Sequence, residues 1–81
     1  MSMDTNTVRS VVHEVIAEMV GHRVQDSEAI VSSGLIDSLS VVKLISRLEQ
    51  NLNVAIPPAN LQPDDFDNVN LIIDTLQRVV R

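Results

Sequence analysis

The residues with the most chemistry to offer lie together in Gly34-Leu35-Ile36-Asp37-Ser38-Leu39. A serine at the start of a helix, at the end of a long loop, is an attachment point for an anionic group. The first turn of a helix has free N–H groups and a positive partial charge, and both favour a phosphate ester. The acidic neighbour Asp37 could help an incoming enzyme place a metal ion and the serine hydroxyl. A plainer reading stands beside this one. Asp37 is then a helix N-cap and Ser38 an early helix residue. The Asp-Ser-Leu triplet alone does not separate the two.

Other candidates offer less. His13 and His22 have no Ser-Asp context around them. His13 is expected to be a solvated helix residue, and His22 is explained by its place just past a helix C-terminus. Asp64, Asp65 and Asp67 lack the glycine and distal glutamate of an EF-hand loop, so they read as capping charge and solvated surface. The two glycines, Gly21 and Gly34, make no phosphate-binding loop. Cysteine is absent, which excludes thiolate metal sites, and two separate histidines give no ligand cluster. No catalytic and no metal-binding residues are assigned.

Helical elements must position the serine. Val8, Val11, Val12, Val15, Ile16, Met19 and Val20 recur at helical spacing, with Asp4 or Thr5 as cap and Gly21 as stop. His13, Glu14 and Glu18 fall away from this stripe. Residues 21 to 37 have no sustained period. Their apolar members Val24, Ile30, Val31, Leu35 and Ile36 are expected to tuck against the bundle, as in an Ω-loop. A second helix begins near Asp37 or Ser38 and runs to about Asn53, with Val41, Leu44, Ile45, Leu48 and Leu52 facing the core. At about 100° per residue, Leu39 points away from Val41, and Val42 sits at the edge. Pro57-Pro58 ends this region, anchored by Val54 and Ile56. Pro63 followed by two aspartates reads as a short helix or single turn, with Phe66 plugging the core. Val69, Ile72, Ile73, Leu76, Val79 and Val80 mark a last helix, capped by Asp67 or Asn68. No strand pattern occurs. The expected fold class is all-α, a small bundle of three long helices and one short one, forming a single domain over residues 1–81.

Composition narrows the function classes. The chain has 81 residues and a net charge of −5. That balance argues against nucleic acid as partner, because phosphate recognition calls for a basic face. The Met1-Ser2-Met3-Asp4 start does not read as a signal peptide, and no stretch is apolar enough to span a membrane. The cytoplasm is the expected compartment.

Taken together, these pieces resemble the acyl carrier protein family, the phosphopantetheine-binding carrier domains. The resemblance runs from Val8 to Val80. It covers the apolar first helix, the long loop, Gly34 to Leu39, the helix Ser40 to Glu49, Val54-Ala55-Ile56-Pro57-Pro58, Asp65-Phe66-Asp67-Asn68-Val69 and the closing amphipathic helix. It implies a four-helix bundle. It also implies that Ser38 receives 4′-phosphopantetheine from coenzyme A through a separate magnesium-dependent phosphopantetheinyl transferase. The arm's thiol then carries acyl or aminoacyl groups as thioesters, which suits a chain with no cysteine.

On this resemblance Asp37 supports modification, Leu39 lies beside the arm, and Ile36, Leu39, Val42 and Lys43 meet partner enzymes. Those partners are the transferase, an acyl- or aminoacyl-loading ligase, and downstream acyltransferases or synthases. The carrier itself is a monomer and no enzyme. The second helix departs from the acidic pattern of fatty-acid carriers. Residues 38–52 hold Lys43, Arg47 and Glu49, whereas residues 4–37 and 53–68 are net acidic. This argues against general fatty-acid-synthase service. The segments Ile56-Pro57-Pro58 and Asp65-Phe66 look closer to stand-alone specialised carriers of D-alanyl, aminoacyl, polyketide or nonribosomal-peptide type. Two rivals remain: a non-covalent helical protein–protein interaction module, and a small hydrolase or transferase, which lacks a base partner for Ser38.

Overall fold

The computed structural model describes residues 4–57 and 61–79. It contains three α-helices, α1 (Thr5–Val20), α2 (Ser38–Leu52) and α3 (Val69–Val79), and a 3₁₀ turn at Pro63–Phe66. No strand occurs among the described residues. The short fourth helix expected from Pro63-Asp64-Asp65 is this single four-residue turn. Pro58 and Val80, assigned above to the proline stop and to the last apolar stripe, lie outside the described residues.

Each helix is bounded by its own sequence. The Asp4 side chain accepts the Asn6 N–H at 3.2 Å and starts α1. Gly21 ends it at φ 89°, a left-handed conformation that glycine adopts without penalty, and its N–H reaches the Ala17 carbonyl at 2.8 Å. Asn53 ends α2 in the same way at φ 55°. At α3 the cap is Asn68, whose side-chain oxygen accepts the Leu71 N–H at 2.8 Å.

α1 packs against both α2 and α3, and the 3₁₀ turn fills the space between those two. Val8, Val12, Val15 and Ile16 of α1 meet Val41, Leu44 and Leu48 of α2 and Val69, Ile72, Ile73 and Leu76 of α3 in one core. Phe66 plugs this core from the turn and is fully buried. Burial of such side chains supplies most of the stability of short helices, which are marginal in isolation. Thr75, a polar member of the same α3 face, is buried with its hydroxyl donating to the Asp65 carbonyl at 3.2 Å.

The long loop contributes Val24, Ile30 and Ile36 to the core. Two of its apolar residues each correct one expectation. Leu35 was expected to tuck in, but it is 43% exposed. Ile36 tucks into the core, as the loop reading expects, and this burial removes it from the partner-facing surface that the resemblance assigns to it; its N–H donates to the Ile30 carbonyl at 2.8 Å. The turn at Gly34 (φ 88°) reverses the chain there and sends Ile36 inward and Leu35 outward.

His13 is the other correction. It is 8% exposed, not solvated. The loop crosses α1 beside it, so the covered arc of α1 is wider than its apolar stripe. His13 Nε2 faces Asp26 Oδ1, and an ionised carboxylate only accepts, so Nε2 carries the proton. Arg9 reaches the other Asp26 oxygen at 2.6 Å and the Asn70 side chain at 3.0 Å. The Asn70 N–H donates to the Asp26 carbonyl at 3.2 Å. The cluster therefore fastens the loop to α1 and to the start of α3. The hydrogen bond from His13, helped by Arg9, holds the Asp26 carboxyl below its ordinary pKa.

Candidate functional site

Ser38 is the first residue of α2 and is exposed. Asp37 before it has extended backbone (φ −82°, ψ 174°), the usual conformation of an N-cap. Its side chain accepts the Ser40 N–H at 2.8 Å, and its carbonyl accepts the Val41 N–H at 3.0 Å. The bond from Ser40 holds the Asp37 carboxyl below the ordinary carboxylate value. The N–H groups of Ser38 and Leu39 are among those left without intrahelical partners in a first turn. The serine thus stands exposed at a helix end whose cap is formed.

A chain of contacts fixes this helix start. Asp67, just before α3, accepts the N–H groups of Val31 at 2.9 Å and Ser32 at 2.8 Å through one carboxylate oxygen. Its other oxygen takes the Ser32 hydroxyl at 2.9 Å. These bonds, the Ser32 N–H foremost, hold the Asp67 carboxyl below its ordinary pKa. The Asp67 carbonyl accepts the Ile30 N–H, and Ile30 in turn accepts from Ile36, one residue before Asp37. Asp67 was expected to be solvated surface and is instead a clamp on the loop. Its partners are 35 and 36 residues away, and no local periodicity reports such a contact. The only sign in the sequence is a third aspartate lying beyond the two that serve the first turn.

Around Ser38 the surface is apolar. Leu39 is 81% exposed, pointing away from the core as the angular count predicts. Val42 is 65% exposed and stands further out than an edge position. Beside them runs an open groove of about 470 Å³ that begins at Ser38 and is lined by Val42, Ile45, Leu61 and Phe66, with Ser46, Glu49 and Gln62 as further polar members. Of the other aspartates, Asp65 caps the 3₁₀ turn through the Gln62 N–H at 3.0 Å, and Asp64 is exposed. His22 is exposed and far from this face in sequence. Among the described residues no cluster of three or more His, Cys, Asp or Glu side chains could hold a metal ion. No described helix is long and apolar enough to cross a membrane.

An exposed serine at an open helix end, next to a groove with apolar walls, suits a phosphodiester-linked arm. The helix end favours the phosphate, and the groove matches a flexible chain with few charges.

Comparison with known proteins points the same way. A family model described as "Phosphopantetheine attachment site" matches residues 6–76. The chain is 27% identical over 75 residues to a D-alanyl carrier protein of Leuconostoc citreum, an alignment covering 90% of this chain and 96% of the relative. It is 30% identical over 69 residues to a D-alanyl carrier protein of Streptococcus mutans, covering 83% and 87%. A similar relative in Streptococcus sanguinis is 29% identical over the same shares. The chain therefore belongs to the phosphopantetheine attachment site family: it is a non-catalytic carrier protein that bears 4′-phosphopantetheine covalently and is the substrate of the transferase that installs it.

Proposed function

We propose that Ser38 is the attachment residue and that the chain carries a small aminoacyl group of D-alanyl type. The observation that carries the site is the exposed Ser38 at the capped start of α2. Asp37 holds that helix end in place and sits next to the hydroxyl, where it supports modification. Leu39 lies beside the arm, and Leu39, Val42 and Lys43 meet the partner enzymes. The arm supplies a thiol on which acyl groups are held as thioesters, which the protein cannot supply because it has no cysteine.

The cargo reading rests on the D-alanyl carrier relatives and on the groove, which is open to solvent beside a filled core. Such a surface suits a small group better than a long acyl chain. The chain is then one carrier domain, a monomer of the four-helix carrier type, with the 3₁₀ turn at Pro63–Phe66 in place of the short helix. It is loaded by an aminoacyl ligase and unloaded by a downstream acyltransferase. A free thiol on the arm suits the reducing cytoplasm.

The test is intact mass after incubation with coenzyme A, magnesium and a phosphopantetheinyl transferase from the same source. One added phosphopantetheinyl group is expected, absent in Ser38→Ala. A gain in that variant moves the site elsewhere. Loading is then assayed with the source's ligases, ATP and either D-alanine or fatty acids. A thioester with the fatty acids and none with D-alanine overturns the cargo reading.

A further inference from the structure

We propose that the carboxylate of Glu49, in the groove beside Ser38, receives the ammonium group of an aminoacyl cargo at the end of the arm. This rests on the reading of Ser38 as the attachment residue and of the cargo as aminoacyl. It adds the side chain that tells an amine-bearing acyl group from a plain one.

One side of the groove is a stripe of α2. Ser38 and Glu49 lie about 20° apart around the helix and about 16 Å apart along it, with Val42, Ile45 and Ser46 between them on the groove. Glu49 is the only charged side chain lining the groove among the described residues. Lys43 and Arg47, the cations of α2, fall on other sides of the helix, and Arg47 is bridged to Glu18 of α1 at 3.2 Å. Leu61, Gln62 and Phe66, from the 3₁₀ turn and the residues before it, bring no charge to the groove.

Glu49 is half-buried, and one of its carboxylate oxygens accepts the Ile56 N–H at 2.8 Å. It takes part in no ion pair among the described residues. The Ile56 bond holds the carboxylate in place but brings no counter-charge. A fixed anion at the end of an otherwise uncharged groove is the complement of a cation.

The lengths agree. An extended chain advances about 3.5 Å over three bonds, so an arm of about thirteen bonds from phosphorus to sulfur spans roughly 15 Å. The nitrogen of an α-aminoacyl thioester lies about three bonds further on. An arm laid along the stripe from Ser38 therefore brings that nitrogen to Glu49 with slack to spare. An α-amino group is protonated below about pH 7.7, so it meets the carboxylate as a cation. A plain acyl group of the same size offers Glu49 nothing. The groove is open, so the contact has the modest strength of a surface ion pair, and a partner enzyme can withdraw the arm.

The experiment uses the full chain, with the arm installed by a phosphopantetheinyl transferase from D-alanyl- or propionyl-coenzyme A. The two cargoes differ only in the amine. The alanyl group is isotopically labelled, and its NMR shift is followed against pH in wild type, Glu49→Gln and Glu14→Gln, with melting curves alongside. Glu49→Gln keeps an oxygen for the Ile56 N–H and loses the charge. Glu14→Gln removes the same charge from an exposed position on α1. The alanyl amine should lose its proton about 0.5 pH unit lower in Glu49→Gln than in wild type, and within about 0.1 pH unit of wild type in Glu14→Gln. The Ile56 amide resonance should also move between the propionyl and D-alanyl forms of wild type, a comparison that needs no variant. Equal midpoints in wild type and Glu49→Gln overturn the proposal. An equal fall in both variants, or an Ile56 amide indifferent to the amine, overturns it as well. Loading from coenzyme A esters bypasses the ligase, so a wrong cargo shows in the ligase assay and a wrong role for Glu49 shows here. An arm taken up by Ser38→Ala overturns both the site and this proposal, because the alignment with Glu49 is counted from Ser38.

Discussion

At the start of α2 the Asp37 carboxylate accepts the Ser40 N–H at 2.8 Å, and at the start of α3 the Asn68 side-chain oxygen accepts the Leu71 N–H at the same distance. In each case an Asx residue precedes the helix, and an apolar side chain follows within the first turn. The surroundings differ. Val69, the first residue of α3, is fully buried. Asn70 after it is held by Arg9 and by the Asp26 carbonyl. Ser38, the first residue of α2, is exposed, and so is Leu39 after it. The upstream part of the long loop closes over the start of α3, while its downstream part, turned at Gly34, leaves the start of α2 open. Capping makes a helix end; the rest of the fold decides whether that end is a joint or a site.

Exchanging the first residues tests this contrast hardest. Val69→Ser removes a fully buried apolar side chain and places a hydroxyl in the core. The expected loss is about 2–3 kcal/mol. Ser38→Ala should change stability by less than about 0.5 kcal/mol, because the site is exposed. Urea denaturation by linear extrapolation measures both. Equal losses at the two positions would mean that the start of α2 is as much a structural joint as the start of α3.

The caps sharpen the comparison, because one titrates and the other does not. Asn68→Ala should cost about 1 kcal/mol; Asp37→Ala should also lower the melting temperature, and only it should slow modification of Ser38. The pH response separates them further. The Asp37 carboxyl is held below its ordinary value of 3.8 by the Ser40 N–H. A depressed folded pKa adds stability that is present above 3.8 and is lost as pH falls from there through the lower folded value. Asp26 and Asp67 add losses of the same sign in the same range. Asp37→Asn should therefore flatten the fall of stability with acid, and Asn68→Asp should steepen it. Melting temperatures read between pH 5 and pH 2.5, roughly the interval that covers such carboxylates, give the comparison directly. An Asp37→Asn profile that parallels the wild type would remove the cap bond as the source of the shift.

The three apolar stripes were legible because helical periodicity repeats over many residues, as in Val8, Val12, Val15 and Ile16. The serine motif and its helix start were legible because caps are local. His13 and Asp67 were not. Each meets a partner brought up by the irregular loop, 13 residues away for His13 and 35 or 36 for Asp67. A loop without period gives no register from which to count such contacts. Ile36 shows the same limit within the motif: its type marks it as apolar, but only the turn at Gly34 decides which way it faces.

The smallest expected effect concerns the exposed leucines that follow each cap. Leu39 and Leu71 are 81% and 42% exposed. Leu39→Ser should leave stability within about 0.5 kcal/mol, and Leu71→Ser should lower it by about 0.5–1 kcal/mol, because more of its side chain is covered. Modification should show the opposite order. Leu39→Ser removes an apolar contact beside Ser38, and kcat/KM for the transferase should fall about threefold, close to 0.7 kcal/mol. Leu71→Ser leaves that surface intact and should not change the rate. If both substitutions slow modification equally, general loosening of the bundle is the cause and Leu39 makes no separate contact. If only Leu39→Ser does so while its melting temperature holds, the open helix end is recognised through its own side chains.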